Sequence, residues 1–277
     1  MESIDETPLV SVIIACYNGE RYIDDCIGSL LEQDYENIEI IICDDCSSDG
    51  SYSKLLDLKK TDSRITILRN NSNLFAAAAR NECIRISKGK YLLIQDIDDY
   101  SQPTRVSTLV STLQENKQYA FVSSAMITFD KNYREPYGRI CHKKKYPTKW
   151  DFLYNLPFNH PATLFLKEAV LSIGGYEVSK YTRRMEDYDL FMRLYMKGYK
   201  GMNIDDDLYL YRQDKENILR RTFTSRIDEF HIRYRDFSML GLMPFAFPFI
   251  LKPFLAHIYS KVKFRDFKII RNMYFRR

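Results

Sequence analysis

Asp96, Asp98 and Asp99 fall within four residues, in the stretch KYLLIQDIDDYSQP that begins at Lys90. Leu92, Leu93 and Ile94, just ahead of them, are apolar enough to be buried. Carboxylates this close repel, and in a poorly solvated setting they resist ionising together. A positive partner is therefore expected. Hard cations such as Mg2+ and Mn2+ take oxygen ligands, commonly one or two carboxylates completed by substrate phosphates. A second acidic group, Glu186, Asp187 and Asp189 in MEDYDL, lies far along the chain. One carboxylate group for a metal and a distant one for a base are the minimum equipment for attack by a hydroxyl with a phosphate leaving. Each group also has a plainer reading. D-x-D-D can be a solvated loop before Pro103, and acids in a first helical turn favour the helix dipole.

The cysteines offer less. Cys43-Asp44-Asp45-Cys46 has C-x-x-C spacing, but neighbouring carboxylates oppose a thiolate. No second C-x-x-C exists, and the four histidines are scattered. Neither a metal nor a redox role is expected for the six cysteines, which suit a reducing, cytosolic setting.

These side chains need a scaffold. LVSVIIACYN, IEIIICDD, RITILRN and KYLLIQD read as buried strands. ERYIDDCIGSLLEQ, SSDGSYSKLLDLKK, NLFAAAARNECIRIS and QPTRVSTLVSTLQEN read as the helices that follow each of them. Four such alternations predict an α/β fold with a mostly parallel sheet, whose ligands bind beyond the carboxyl ends of the strands. Tyr17 and Asn18, Asp44 and Asp45, and the Asp96 group all sit at such ends. After Tyr119 the alternation weakens. YAFVSSAMITF reads as a strand, ATLFLKEAVLSIGGY as a strand and short helix ended by Gly174-Gly175, and EDYDLFMRLYMKG as an amphipathic helix stopped by Gly198.

The 277 residues suit one large domain with an appendage, and a net charge of +4 conceals an asymmetry. Residues 212–277 carry 15 Lys/Arg against 6 Asp/Glu, whereas residues 1–211 carry 26 against 31. An acidic body argues against nucleic acid as partner, and no recognition motif for it occurs. The basic tail, rich in Phe, Leu and Ile, predicts docking of residues from about 237 to 277 on an anionic membrane surface, the alternatives being packing back on the catalytic domain or a homodimer contact. Its longest uncharged run, Phe237 to Leu251, is 15 residues with Pro244 and Pro248 inside, too short to span a bilayer. The acidic N-terminal MESIDETPLV lacks a basic-then-apolar order, so no secretory signal is expected.

Taken in order, VSVIIACYN, IEIIICDDCSSDGS, NLFAAAARN, GKYLLIQDIDD and EDYDLFMRL resemble glycosyltransferase family 2 over about residues 8–212. The resemblance implies a GT-A fold, with a catalytic domain over 1–212 and a helical basic extension over 213–277. The donor half would cover about 8–118 and the acceptor half 119–212. It implies inverting sugar transfer from a nucleotide diphosphate sugar, a UDP-sugar being favoured, with Mg2+ or Mn2+. The acceptor would be a glycan or lipid-linked glycan in surface polysaccharide synthesis, at the cytoplasmic face of the membrane. Ala15 and Tyr17 would border the base, and Asp45 would accept a hydrogen bond from it. Asp98 would meet metal and diphosphate, supported by Asp96 and Asp99, with Asp98 and Asp99 as the metal pair. Asp187 matches the family's catalytic base. Arg80 would neutralise diphosphate charge or pair with Glu82 or Asp96, Arg212 would reach the diphosphate, and His160 would line the acceptor site or sit in the core. Three positions depart from the pattern: Phe75 and Cys46 stand where glycine is usual, and Ala15 where proline is common. The rival readings are a sugar-phosphate nucleotidyltransferase, for which ACYNGERY is poor in glycine and basic residues, and a non-catalytic nucleotide-binding module.

Overall fold

A computed structural model of the chain describes residues 7–213 and 223–254. Strands β1 (Val10–Cys16), β2 (Ile38–Asp44), β3 (Ile65–Arg69) and β4 (Tyr91–Asp96) pair in parallel in the order β3-β2-β1-β4. The apolar runs of β1, β2 and β4 are buried on both faces, whereas β3, at the sheet edge, is only half-buried. Ile13, Ile41, Leu92 and Ile94 point into one core, while Val12, Ile14, Ile40, Ile42 and Leu93 point into the other.

Helices cover both faces. α1 (Ile23–Leu31), α2 (Ser51–Thr61) and α4 (Arg105–Glu115) close one core, and α3 (Phe75–Ile86) the other. Between β4 and α4 runs a two-residue strand, β5 (Tyr100–Ser101). The second half turns the sheet mixed. β8 (Thr163–Leu166) is antiparallel to both β4 and β6 (Phe121–Phe129), and β9 (Gly201–Arg212) runs parallel to β6 and antiparallel to β5. β7 (Pro136–Ile140) forms a side hairpin on β6. Gly201 is fixed by contact: a Cβ there would lie 1.9 Å from the Phe121 ring, which sits among Phe158, Phe165 and Phe191.

α5 (Lys167–Ser172) and α6 (Glu186–Met196) pack on the α3 side with α7 (Phe223–Met239) and α8 (Phe247–Ile250). Ile232, Phe237, Leu242 and Ile250 belong to the same core as Leu190 and Phe191. The start of the basic extension is therefore part of the catalytic body's packing. Its last stretch, 255–277, lies outside the described residues. Among the described residues no helix is long and apolar enough to cross a membrane.

Two of the departures from the family pattern are backbone matters. Cys46 and Phe75 adopt φ of 63° and 69°, the left-handed region where a Cβ is crowded. Asp45 holds both turns. It follows β2, and its carboxylate accepts from the backbone N–H of Leu74 and Phe75 (2.9 and 2.7 Å) and from Asn70 Nδ2 (2.7 Å). Replacing Cys46 with glycine removes a left-handed cost of about 1–2 kcal/mol and adds about 0.5–1 kcal/mol of chain entropy. We expect Cys46→Gly to raise the melting temperature and Cys46→Ala, which keeps the Cβ, to leave it unchanged. Equal melting temperatures for the two variants would contradict the strain.

Candidate active site

The acidic turn after β4 meets its positive charge three ways. Arg80, buried on α3, pairs with Asp96 at 2.6 Å. Arg212, at the end of β9, donates its backbone N–H to Asp99 Oδ1 (2.6 Å) and its Nε to the Asp98 carbonyl (2.9 Å). Arg105 lies beneath, fully buried, donating to the Ile94 and Pro161 carbonyls, Gln95 Oε1 and the Ser101 hydroxyl, each at 2.7 Å. Tyr209 stacks against it, 4.5 Å from guanidinium to ring centre, and its hydroxyl accepts the Asp96 N–H at 3.1 Å.

Compensation is incomplete. Burial, then Asp96, pushes the Asp98 carboxyl up to about 6. Burial and the other two carboxylates raise Asp99 as well. Asp96 and Asp98 line a cleft of about 270 Å³ together with Ala15, Tyr17 and Arg80. Asp99, expected as a metal ligand, does not line it. Asp99 is buried, engaged by the Arg212 N–H, and lies beneath the turn as a support. Asp45 is also buried and outside the cleft lining, its four acceptor positions facing the 70–75 loop. Among the described residues no group of three or more His, Cys, Asp or Glu side chains could hold a metal by itself.

The loops after β1 and β2 are cross-tied, which sets the cleft's other wall. Asn18 N–H donates to Ser47 Oγ (2.9 Å), Gly19 N–H to Ser51 Oγ (2.9 Å), and Ser48 N–H to Asn18 Oδ1 (2.9 Å). Tyr17 is left half exposed at the rim.

Arg80 also reaches Glu186 at 3.7 Å, linking β4 to the first turn of α6. Burial, then Asp187, pushes the Glu186 carboxyl up to about 7 against the pull of Arg80. Next to it, Asp187 Oδ1 accepts the Tyr188 N–H at 2.7 Å. The hydroxyl of half-buried Tyr211 is pushed up by burial and then by Asp99, Asp96, Asp98 and Asp187. Asp189 is structural: fully buried, it accepts from Arg193 Nε at 2.7 Å and pairs with Arg235 of α7. His160 is a core residue, bonded to the Tyr176 hydroxyl at 2.7 Å and pushed down to about 3 by burial and Arg80. Arg212 spends its guanidinium on the carbonyls of Asp98, Asp130 and Lys131 and on the faces of Tyr22 and Phe129.

This arrangement has counterparts. The sequence model of glycosyl transferase family 2 matches residues 11–173. EpsE of Bacillus subtilis (strain 168), named as a glycosyltransferase, is 34% identical over 250 residues, 90% of this chain and 88% of EpsE. The chain belongs to glycosyltransferase family 2. The UDP-Glc:alpha-D-GlcNAc-diphosphoundecaprenol beta-1,3-glucosyltransferase WfaP of Escherichia coli is 41% identical over 122 residues, 44% of this chain and 48% of WfaP. In fold, this family 2 enzyme is similar to S. aureus TarS 1–349 in complex with UDP-GlcNAc (TM-score 0.67, 16% identity, 84% of this chain and 70% of that one). It is also similar to the mannosyltransferase PcManGT from Pyrobaculum calidifontis in complex with GDP-Man and Mn2+ (TM-score 0.62, 18% identity, 95% and 80%). The GT-A architecture read from the sequence is therefore the one found.

Sequence reasoning passed over Arg105, Tyr209 and the bridging role of Glu186. For Arg105 a signal existed: an arginine on the apolar face of a helix directly after three carboxylates. Tyr209 gave none. Removing Arg80 would leave Asp96 and Glu186 facing each other without a cation, and losing one partner of a buried pair typically costs about 3–5 kcal/mol. We expect Arg80→Met to lose stability on that order at pH 8. Glu186 in the fold binds its proton more tightly than its ordinary value of 4.5 allows, so its burial costs nothing when protonated and costs more as pH rises through about 7. The deficit of the variant should therefore shrink toward pH 5. Denaturant melts of both proteins at the two pH values check this, and a deficit that is constant or grows on acidification would refute it.

Proposed function

We propose that this glycosyltransferase is an inverting enzyme of surface polysaccharide synthesis. It moves sugar from a nucleotide diphosphate sugar, a UDP-sugar first, to a hydroxyl of a glycan or lipid-linked glycan. The observation that carries the reading is the arginine that ties the two acidic groups together: Arg80 lies 2.6 Å from Asp96 of the cleft and 3.7 Å from Glu186, the neighbour of Asp187. Two acidic groups far apart in sequence are thus tied through one arginine, and attack by a hydroxyl on a sugar diphosphate needs two such groups, one for the leaving diphosphate and one for the proton. The names of WfaP and the TarS complex support the donor class, and that of WfaP the lipid-linked acceptor.

In this reading the donor lies in the cleft between the β1 and β4 ends. Tyr17 offers a flat face to the base, and Ala15 leaves room beside it. Asp45 acts on the base pocket by holding the Leu74–Phe75 turn that borders it. The residues fit a divalent ion. Asp98 is half-buried in the cleft, burial and Asp96 push its carboxyl up, and Asp99 Oδ2 is buried with no hydrogen-bond partner among the described residues. Asp98 would hold the ion, with Asp96 beside it and Asp99 beneath, and substrate phosphates would complete its shell. When bound, Mg2+ or Mn2+ supplies Lewis-acid stabilisation of the charge that builds on the departing diphosphate.

Asp187 takes the proton of the acceptor hydroxyl as that oxygen attacks the anomeric carbon from the face opposite the diphosphate. A back-side approach inverts the anomeric configuration. Glu186, bound to Arg80, keeps the first turn of α6 tied to the donor side, so base and leaving group stay in register.

A positioned base contributes about 10²–10⁴-fold. We expect Asp187→Asn to lower transfer by that order while nucleotide diphosphate binding is retained. Asp98→Ala should lose both transfer and metal-dependent nucleotide binding, and wild-type activity should vanish in chelator and return with Mg2+ or Mn2+. Turnover against a panel of nucleotide sugars, with titration of the nucleotide by calorimetry, makes the comparison. Transfer by Asp187→Asn within about tenfold of wild type places the base elsewhere, and full activity in chelator removes the metal.

A further inference from the structure

Asp187 also lines a second pocket, of about 240 Å³, that shares no residue with the donor cleft. Arg184, Arg226, Arg233 and Lys252 meet Asp187 and Glu229 there, four cations against two carboxylates among the described lining residues. Glu229 is divided between two guanidiniums, Arg226 Nη1 at 3.3 Å and Arg233 Nε at 3.0 Å. Arg226 Nε is buried with no hydrogen-bond partner among the described residues. Burial and the nearby Arg233 push the Lys252 ammonium below its ordinary value. A buried donor left over and a destabilised cation both mark a site short of negative charge.

The surroundings say what kind of anion. The pocket is built by the start of α6, by α7, and by Lys252 and Pro253 after α8, so it faces the base and not the donor diphosphate. Beside Lys252 and Asn155, whose side chains bond at 3.0 Å, lies an aromatic apron. Phe245 is 70% exposed, Tyr154 62%, and Phe247 57%. Trp150 packs on Phe245 at 6.1 Å and Tyr154 on Phe249 at 5.1 Å, so the segment after α7 sets its rings against those of residues 150–154. Exposed rings beside lysines suit an acyl chain and its charged head group. The chain beyond this rim, from Lys261 to Arg277, adds seven Lys/Arg against one Asp.

We infer that this pocket is an acceptor-side phosphate site, which takes the phosphoryl group of a lipid-borne glycan while the aromatic rim takes the lipid at an anionic bilayer surface. The inference rests on Asp187 being the base, because it is Asp187 that makes this the acceptor's pocket. Arg226 and Lys252 would grip the phosphoryl oxygens, and Phe245 and Phe247 would meet the hydrocarbon.

Two probes test it without turnover: inorganic pyrophosphate, and decyl diphosphate carried in phosphatidylcholine vesicles. Each is titrated into the full chain with EDTA present, so that the donor cleft has no ion. Both should bind the wild type, decyl diphosphate at least about tenfold more tightly through its buried methylenes. Arg226→Gln and Lys252→Gln should each weaken both probes about tenfold, the order of one charge-assisted hydrogen bond. The double change Phe245→Ser/Phe247→Ser should remove only the preference for the lipid-borne probe, and Asp98→Ala should change neither. Retained binding of UDP with Mn2+ shows that a variant folds, and Lys252→Gln, at a partly exposed position, stands in if Arg226→Gln does not. Pyrophosphate affinity that ignores both substitutions, or that is lost in Asp98→Ala, overturns the site. Equal affinity for the two probes overturns its lipid. Because binding is read without catalysis, these outcomes are separate from those of the Asp187→Asn kinetics.

Discussion

Repulsion among Asp96, Asp98 and Asp99 is the constraint around which this molecule is arranged. Three carboxylates at the end of a fully buried strand cannot all be solvated, so the fold must bring cations to them from elsewhere in the chain. It does so with Arg80 from α3, Arg105 from α4 and Arg212 from the end of β9. Each of these contacts is also a tertiary tie. Arg105 joins the β4 end to the loop before β8 through Pro161, and Arg212 closes β9 against the acidic turn. The shortfall that remains, seen in Asp98 at about 6, is the part left for a ligand.

The place of Asp187, the base we propose, follows from the same charge. Glu186 answers Arg80, which answers Asp96, so the start of α6 is drawn toward the donor cleft. One turn on, buried Asp189 is clamped by Arg193, whose other nitrogens hold the Ile173 and Gly175 carbonyls at 2.8 Å, and by Arg235 of α7. Asp187 sits between these two anchors. A helix held at both sides of one residue keeps that residue's carboxylate in place.

The strands and helices up to Glu115 were legible because their apolar runs and caps have one period each. β9 was not, because Asp205, Asp206 and Asp207 interrupt its apolar pattern. They do so where the strand bulges against β6 and where Arg139 reaches Asp205 and Asp207. The short β5 and the exposed β7 carried too little pattern to read. At the site, Asp96, Asp98, Arg80, Tyr17 and Ala15 were legible from strand ends and family order, and the cleft joins them. Asp99 and Asp45 were legible as important but not in direction. Adjacent carboxylates on a turn face opposite ways, and only the β9 backbone, distant in sequence, shows which one is turned inward.

The basic extension shows why composition alone misplaces function. Its first described part contributes Ile232, Phe237 and Leu242 to the catalytic core, so it is a structural wall before it is anything else. Yet the same helix offers Arg226 and Arg233 to a pocket that Asp187 also lines, and the segment after it carries exposed rings beside Lys252. Packing fixes the orientation of α7, and that orientation decides which of its arginines are neutralised in the interior and which are left to face the pocket. Arg235 is consumed by Asp189, Glu177 and Asp236, whereas Arg226 keeps a buried nitrogen with no described partner. A charge count over 212–277 sees both arginines as equal. Their difference lies in the helical phase, nine positions and therefore half a turn out of step, which sets Arg235 beside Asp189 and Glu177 and Arg226 in the lining of the pocket.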